Sequence, residues 1–522
     1  MPLRNLPDDI LALVLAKVPR RHYCDDINCR LSLAAAAVCQ RWRRLALPVA
    51  YAKVYFWYNS QPVGSYGQRG PATTADSDSP RIKTNIDLVD SQGRINLVRG
   101  VRISVYYGSN SLPRLAVAVE QLGQVAAHWK RVNTLWIFSS GIERDDNNDA
   151  AVTQTVANGL VGLFPGLRTL WTSSNVNSVA IDRVSAVLAA GCAAQLRTYD
   201  GRPVPLPAGC VFSQLECVAL ARWDGDEPCR QSIDTQRLKR LELHSLPLAY
   251  TWDMFVCDDG KDTVFPELTS LSIDYERLGS GTAQSRPRLR FPKLQAASVR
   301  CSTGDMLLLH QAVFPAQMPR FEIEAPASLF LSLAEVEMPV VKHLNVMLAG
   351  SVVEPEALAA VDRFMRRTQG CQQKRLCIWS AEAQVQAGLI TCPDLTSLTV
   401  HARVGVDAVL AFVEQLQHLR VLVCRNVATR DMQANIIIAP LDAHERVVPL
   451  NASLQSLVLT PNTPFDNEDG IAVAKYLLMR LPSLMLFSAD GIPEQPVFDF
   501  AQEYSLLYPH LDSATDVFIG SE

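Results

Sequence analysis

One phrase recurs through most of this sequence and limits what the chain can fold into. It consists of an apolar residue, two variable residues, a second apolar residue, and then an apolar position two further on. Clear copies carry Leu238, Leu241 and Leu243; Leu268, Leu271 and Ile273; Val341, Leu344 and Val346; Leu395, Leu398 and Val400; and Leu454, Leu457 and Leu459. Shorter copies carry Leu167 with Leu170 and Leu419 with Leu422. Weaker ones begin at Val132, Leu196, Leu215, Leu294, Phe321, Arg375 and Leu484, and Pro165, Pro266, Pro292, Pro393 and Pro482 stand just before several copies. From Leu135 to Phe487 is 352 residues in thirteen steps, a mean near 27, with single steps of 19 to 35. Alternation at the end of each phrase predicts a strand with one apolar side. Apolar residues at helical spacing over 113–129, 184–193, 356–367, 407–416 and 470–481 predict helices between the strands.

Neither a short strand nor a single amphipathic helix can bury its apolar side alone, so the units must stack on one another. The phrase and its period resemble the leucine-rich repeat. The resemblance implies an α/β fold over residues 96–522: a solenoid with parallel strands on the concave face, helices on the convex face and a C-terminal cap. In that arrangement the residue between the last two apolar positions points away from the core. This places Glu242, Ser272, Asn345, Thr399 and Val458 on the concave face, with Trp171 and Cys377 from weaker copies, as the candidate substrate-binding set. The set is chemically mixed, with one acid and no basic stripe. Trp136, Trp171, Tyr199, Trp223, Tyr275 and Trp379 lie in or just after the strands. Each either fills the core or serves as a contact anchor, and the sequence leaves both open.

The N-terminal stretch is different. Pro7 suits a first helical turn, Asp8 and Asp9 suit its positive end, and Ile10, Leu13, Val14 and Val18 share one face before Pro19 stops the helix. A second helix is predicted over 31–47, with Leu31, Ala34, Ala35, Val38, Trp42 and Leu45 as its apolar stripe and Pro48 as its end. Some fifty residues of short helix make a small core and leave apolar surface for a partner. Leu6-Pro7-Asp8-Asp9-Ile10-Leu11 followed by Val38-Cys39-Gln40-Arg41-Trp42 resembles the F-box, a small all-α docking module. Asp9 stands where that family usually has Glu, and the stretch 20–30 is longer than its usual connection. The resemblance covers residues 3–55. It implies that residues 1–55 dock on the adaptor subunit of a cullin ligase, using Leu6, Pro7, Ile10, Leu13, Val38, Cys39 and Trp42.

Composition narrows the remaining classes. The formal net charge of −4 offers no general attraction to nucleic acid or to an anionic membrane, and neither is an expected partner. No apolar run reaches the roughly 18–20 residues of a membrane span, and the opening residues do not read as a signal peptide. The 13 cysteines include no Cys-x-x-Cys pair and often sit among apolar residues, as expected of free thiols in the cytoplasm or nucleus. A Walker loop, a dinucleotide fingerprint, His-Glu-x-x-His and Gly-x-Ser-x-Gly are absent from the sequence. His22, Cys24 and Cys29, the acidic run 145–149, and Cys257 with Asp258 and Asp259 read better as loop residues than as metal ligands. No catalytic residue, cofactor or metal is expected.

These readings combine into an adaptor: the substrate-recognition subunit of an SCF-type ubiquitin ligase, holding a protein substrate on its repeats. The alternative is a repeat scaffold with no ubiquitin role, its N-terminal helices serving as a cap. Residues 59–81 are rich in Gly, Pro and Ser and are expected to be a flexible linker. A nonspecific protease should therefore cut 59–81 before any site in 130–480, which limited digestion with mass spectrometry would establish.

Overall fold

A computed structural model describes residues 40–59, 81–91, 93–106, 111–140, 150–174, 179–201, 211–221, 233–244, 255, 262–275, 288–301, 312–335, 338–350, 354–368, 370–380, 384–428, 449–461, 467–489 and 499. The chain divides into two compact units, Met1–Arg240 with Trp252–Val256 and Leu241–Thr251 with Cys257–Glu522. Each is mixed α/β, and parallel strand pairing dominates both.

The first unit contains α1 (Gln40–Ala50), β1 (Lys53–Asn59), β2 (Arg81–Thr84), α2 (Ile86–Ser91), β3 (Gly100–Tyr106), α3 (Ser111–Val125), β4 (Thr134–Ser140), α4 (Ala150–Leu163), β5 (Thr169–Ser174), α5 (Val179–Cys192), β6 (Thr198–Gly201) and β7 (Cys217–Ala221). β1 pairs antiparallel with β2 and parallel with β3, and β3 to β7 then pair in parallel, each with the next. One register row, Val54, Val101, Leu135, Leu170, Tyr199 and Val218, is buried throughout. Helices α3, α4 and α5 occupy the crossovers and pack on one another. Their order, strand then helix then parallel strand, follows from the need to carry the chain back to the starting edge of the sheet.

Several local expectations change here. The helix expected to stop at Pro48 continues to Ala50, and the Tyr51 amide donates to the Leu47 carbonyl at 3.0 Å. Pro48 lies in the last turn, where its missing N–H costs a single backbone bond. Strand β1 begins inside the stretch assigned to the docking module and ends where the linker was expected to start. The buried Asn85 extends its edge: the side-chain oxygen accepts from the Tyr55 amide, and the side-chain nitrogen donates to the Lys53 carbonyl, both at 3.0 Å. Helix α4 was not expected. It buries Thr153, Val156, Ala157, Leu160 and Leu163 at regular helical spacing, but threonine and alanine make that stripe weak in the sequence.

The second unit contains β8 (Arg240–His244), β9 (Thr263–Val264), β10 (Ser270–Tyr275), β11 (Leu289–Arg290), β12 (Ala296–Cys301), β13 (Ala312–Val313), β14 (Gln317–Ala325), β15 (Val340–Ala349), α6 (Pro355–Arg367), β16 (Gln373–Trp379), β17 (Gln384–Val385), β18 (Ser397–Val400), β19 (Arg403–Gly405), α7 (Val406–Gln415), β20 (Val421–Ala428), β21 (Ser456–Pro461), α8 (Asn467–Arg480) and β22 (Leu486–Ala489). The main ladder runs β8, β10, β12, β14, β15, β16, β18, β20, β21, β22. Its central row is Ile273, Val299, Ile323, Val346, Leu376, Leu398, Leu422, Leu457 and Phe487, each no more than 2% exposed. Burying a side chain of this size contributes roughly 1.5–3 kcal/mol.

Beside the main ladder the second unit has a further parallel ladder, β9, β11 and β13, with two residues per strand. Phe265, Phe291 and Phe314 stack beside it at centroid distances of 5.2 and 6.1 Å. The sequence signal is the Phe-Pro pair that precedes three successive strands. Proline keeps the residue before it extended, and the three phenylalanines stack on one another.

A lysine interrupts the apolar pattern. Lys374 takes the register position beside Leu344 and is fully buried. Its ammonium donates to the Met365 carbonyl at 2.8 Å, in the last turn of α6, and to Asp394 Oδ2 at 2.9 Å. Burial works against ionisation of Asp394, but the hydrogen bond and charge of Lys374 hold its carboxyl below the usual range. Asp394→Asn would leave the enclosed ammonium without its counter-charge and should cost about 3 kcal/mol in chemical denaturation. Lys374→Met should cost less, because the half-exposed Asp394 can be hydrated. The pair's contribution is complete above the unfolded carboxylate value of about 3.9 and disappears as pH falls through the depressed folded value. Wild type should therefore show an acid-side loss that Asp394→Asn lacks.

Candidate functional site

Alternation in the strands gives each sheet one core side and one side that stays partly exposed. The structure puts every predicted repeat residue on the partly exposed side: Glu242, Ser272, Asn345, Cys377, Thr399 and Val458 are half-buried, and Trp171 is 42% exposed. It does not bring them into one line. Trp171 belongs to the first unit and the others to the second. Within the second unit, Ser272 aligns with Ser298, Glu322, Asn345 and then Arg375, whereas Cys377 aligns with Met347, Thr399, Val423 and Val458. The repeat phrase therefore slides by two residues between β15 and β16. Period-two alternation is satisfied equally before and after such a slide, so the phrase alone could not reveal it.

A recess of about 230 Å³ opens on this side of the second unit, lined by Ser272, Asp274, Arg300, Glu322, Glu324 and Asn345 together with His244, Ser298 and Met347. Arg300 bridges Asp274 at 3.7 Å and Glu324 at 2.5 Å, and Arg320 donates to Glu322 at 2.6 Å. Asn345 also donates to Glu322, at 3.5 Å. Glu242, the one acid of the sequence-expected set, is not in the lining, which has three others, Asp274, Glu322 and Glu324; these sit on a weaker copy of the phrase or at the next outward position beyond it. Burial pushes the Cys377 thiol up, partly offset by a hydrogen bond with Trp379, so Cys377 presents an uncharged thiol at neutral pH.

The aromatic residues now separate. Tyr199 is core. Trp379 is 51% exposed and stacks on His401 at a centroid distance of 3.8 Å. In the first unit Trp136 and Trp171 are register partners in β4 and β5, and Tyr55 and Arg102 continue their row on β1 and β3. The next outward row holds Trp57, Ser104 and Phe138. Tyr55 and Trp57 escape the sequence reading because it gives no strand over 53–59, although Val54, Phe56 and Tyr58 alternate with them; Phe138 lies in β4 beyond the weak copy at Val132–Leu135. Trp223 lies outside the described residues, and Tyr275 ends β10.

Of the predicted docking residues, Leu6, Pro7, Ile10, Leu13, Val38 and Cys39 lie outside the described residues, and Trp42 lies within α1. His22, Cys24, Cys29, the run 145–149 and Cys257 to Asp259 also lie outside them. Among the described residues no group of three His, Cys, Asp or Glu side chains could hold a metal ion, and no helix is long and apolar enough to cross a membrane. No protein-family model matches the chain, and no curated protein matches it in sequence.

The ring of Trp136 depends on a glycine. A methyl group added at Gly100 would lie 2.5 Å from a carbon of the Trp136 six-membered ring. Gly100→Ala should displace Trp136, altering the near-ultraviolet circular dichroism, and cost about 1–3 kcal/mol in stability.

Proposed function

We propose that this chain is the substrate-recognition subunit of an SCF-type ubiquitin ligase. Residues 1–55 dock as an F-box on the cullin-ligase adaptor subunit, and a leucine-rich-repeat solenoid over 96–522 holds a protein substrate. The observation that carries the reading is the two-part pattern of Leu6, Pro7, Ile10 and Leu11 with Val38, Cys39 and Trp42, set ahead of a long run of parallel strands that keep one side partly exposed. The chain itself performs no bond chemistry in this reading. It raises the effective concentration of substrate lysines near an activated ubiquitin carried by another subunit, and a bound geometry of this kind replaces a bimolecular encounter with a local one.

A second reading, a scaffold capped by its N-terminal helices, draws support from α1. Only Tyr51 and Ala52 separate that helix from β1, and the Ala52 carbonyl accepts from the Arg99 and Gly100 amides at 2.8 and 3.0 Å. A helix joined so directly to the first strand suits a cap.

Replacing Leu6 and Pro7 together by alanine distinguishes the two. Loss of one leucine-sized contact corresponds to at least about tenfold weaker adaptor binding in a pull-down, with the repeats still folded. Unchanged recovery of the adaptor, or none with the wild-type chain, would favour the scaffold.

A further inference from the structure

The geometry points to the partly exposed sheet face of the first unit, centred on Trp136 and Trp171, as a docking surface for an acidic polypeptide segment that carries apolar side chains. This deepens the proposed function and rests on its reading of the chain as one that captures a protein. Two observations support it. The first is the concentration of large aromatic side chains in adjoining outward rows: Tyr55, Trp136 and Trp171 in one, Trp57 and Phe138 in the next. Tryptophan and tyrosine supply large contact area at low entropic cost and are the residue types that most often anchor a protein interface. Trp171 is the most open of them.

The second is charge. Arg102 lies in the row of Tyr55, Trp136 and Trp171, and Lys53 opens the row before it, beside Gly100 and Thr134. Arg99, Arg168 and Arg197 stand at the strand starts on the same edge, connected through the amide of Arg168 to Asn133, that of Asn133 to Arg99 and that of Arg197 to Arg168. Arg197 meets Glu216 at 3.5 Å, but Arg99 and Arg168 face no carboxylate among the described residues. A segment with carboxylates would pair with Arg99 and Arg168 while its apolar side chains covered the rings. Asp200, at the far end of the aromatic row, sets a limit to the cationic surface.

A single-stranded nucleic acid also combines stacking with negative charge, and the geometry disfavours it. Base stacking needs an open ring face. One face of Trp136 is covered by the Lys53 ammonium, 4.6 Å from the ring centroid, and the ring also lies against Gly100. That face of Trp136 is closed to a base.

Fluorescence anisotropy on the full chain tests the inference with three labelled probes: a 15-residue peptide alternating Glu with Leu and Phe, the same peptide with Lys in place of Glu, and a 15-nucleotide oligo-dT. The Glu peptide should bind most tightly, and its affinity should fall as salt rises. Trp171→Ala and the double variant Arg99→Glu/Arg168→Glu should each weaken it at least about tenfold. Trp379→Ala, outside the patch, should leave it unchanged, and matching thermal melts exclude misfolding. Equal or tighter binding of the Lys peptide or the oligonucleotide, no binding of any probe, or indifference to Trp171→Ala would overturn the inference. Adaptor co-purification is measured separately: if it persists while the Glu peptide fails, only the docking surface is wrong, and if it fails while the Glu peptide binds, only the ligase assignment is wrong.

Discussion

The main ladders of both units depend on the parallel pairing of neighbouring strands. A parallel ladder repeats its register from strand to strand, so an apolar residue at one point in the phrase stacks on the apolar residue at the equivalent point in the next. The row from Ile273 to Phe487 is the result: nine strands, nine apolar side chains, all buried. No single repeat could shelter its own leucines. Each is covered by its neighbours, which makes every strand both a product and a template of the stack.

Much of this could be read from the sequence, and the reason is physical. Strand alternation is short-range and strict, so the phrase falls on the strands β4 to β22 of the main ladders, and Glu242, Ser272, Asn345, Thr399 and Val458 are half-buried positions between buried ones. Helices with bulky apolar stripes, such as α6 and α7, were equally legible. What fills the space behind the strands was less so. A helix whose buried face mixes threonine and alanine with valine and leucine, as in α4, carries a weaker signal, and the Phe-Pro steps before β10, β12 and β14 are too short to have a period at all.

The grouping of outward residues was the least legible. Register depends on hydrogen bonds between strands far apart in sequence, and the phrase repeats every two residues along each strand. Asn345 and Cys377 occupy the same place in their phrases and different rows in the sheet. The aromatic cluster on the first unit was hidden for a related reason. Trp136 and Trp171 are 35 residues apart, and Tyr55 and Trp57 lie in a strand that looked like the end of a helical module. Only pairing β1 to β3 brings them together.

Lys374 bears on this ambiguity. If that position held another leucine, β16 could pair with β15 in either of two alignments and bury an unbroken apolar row in both. The ammonium has acceptors in one alignment only, at the Met365 carbonyl and Asp394. Shifted by two residues so that Leu376 met Leu344, it would lie beside the exposed Lys342 and away from both acceptors. The residue that weakens the apolar core thus works as an index mark, telling a folding chain which of two nearly equivalent alignments to keep.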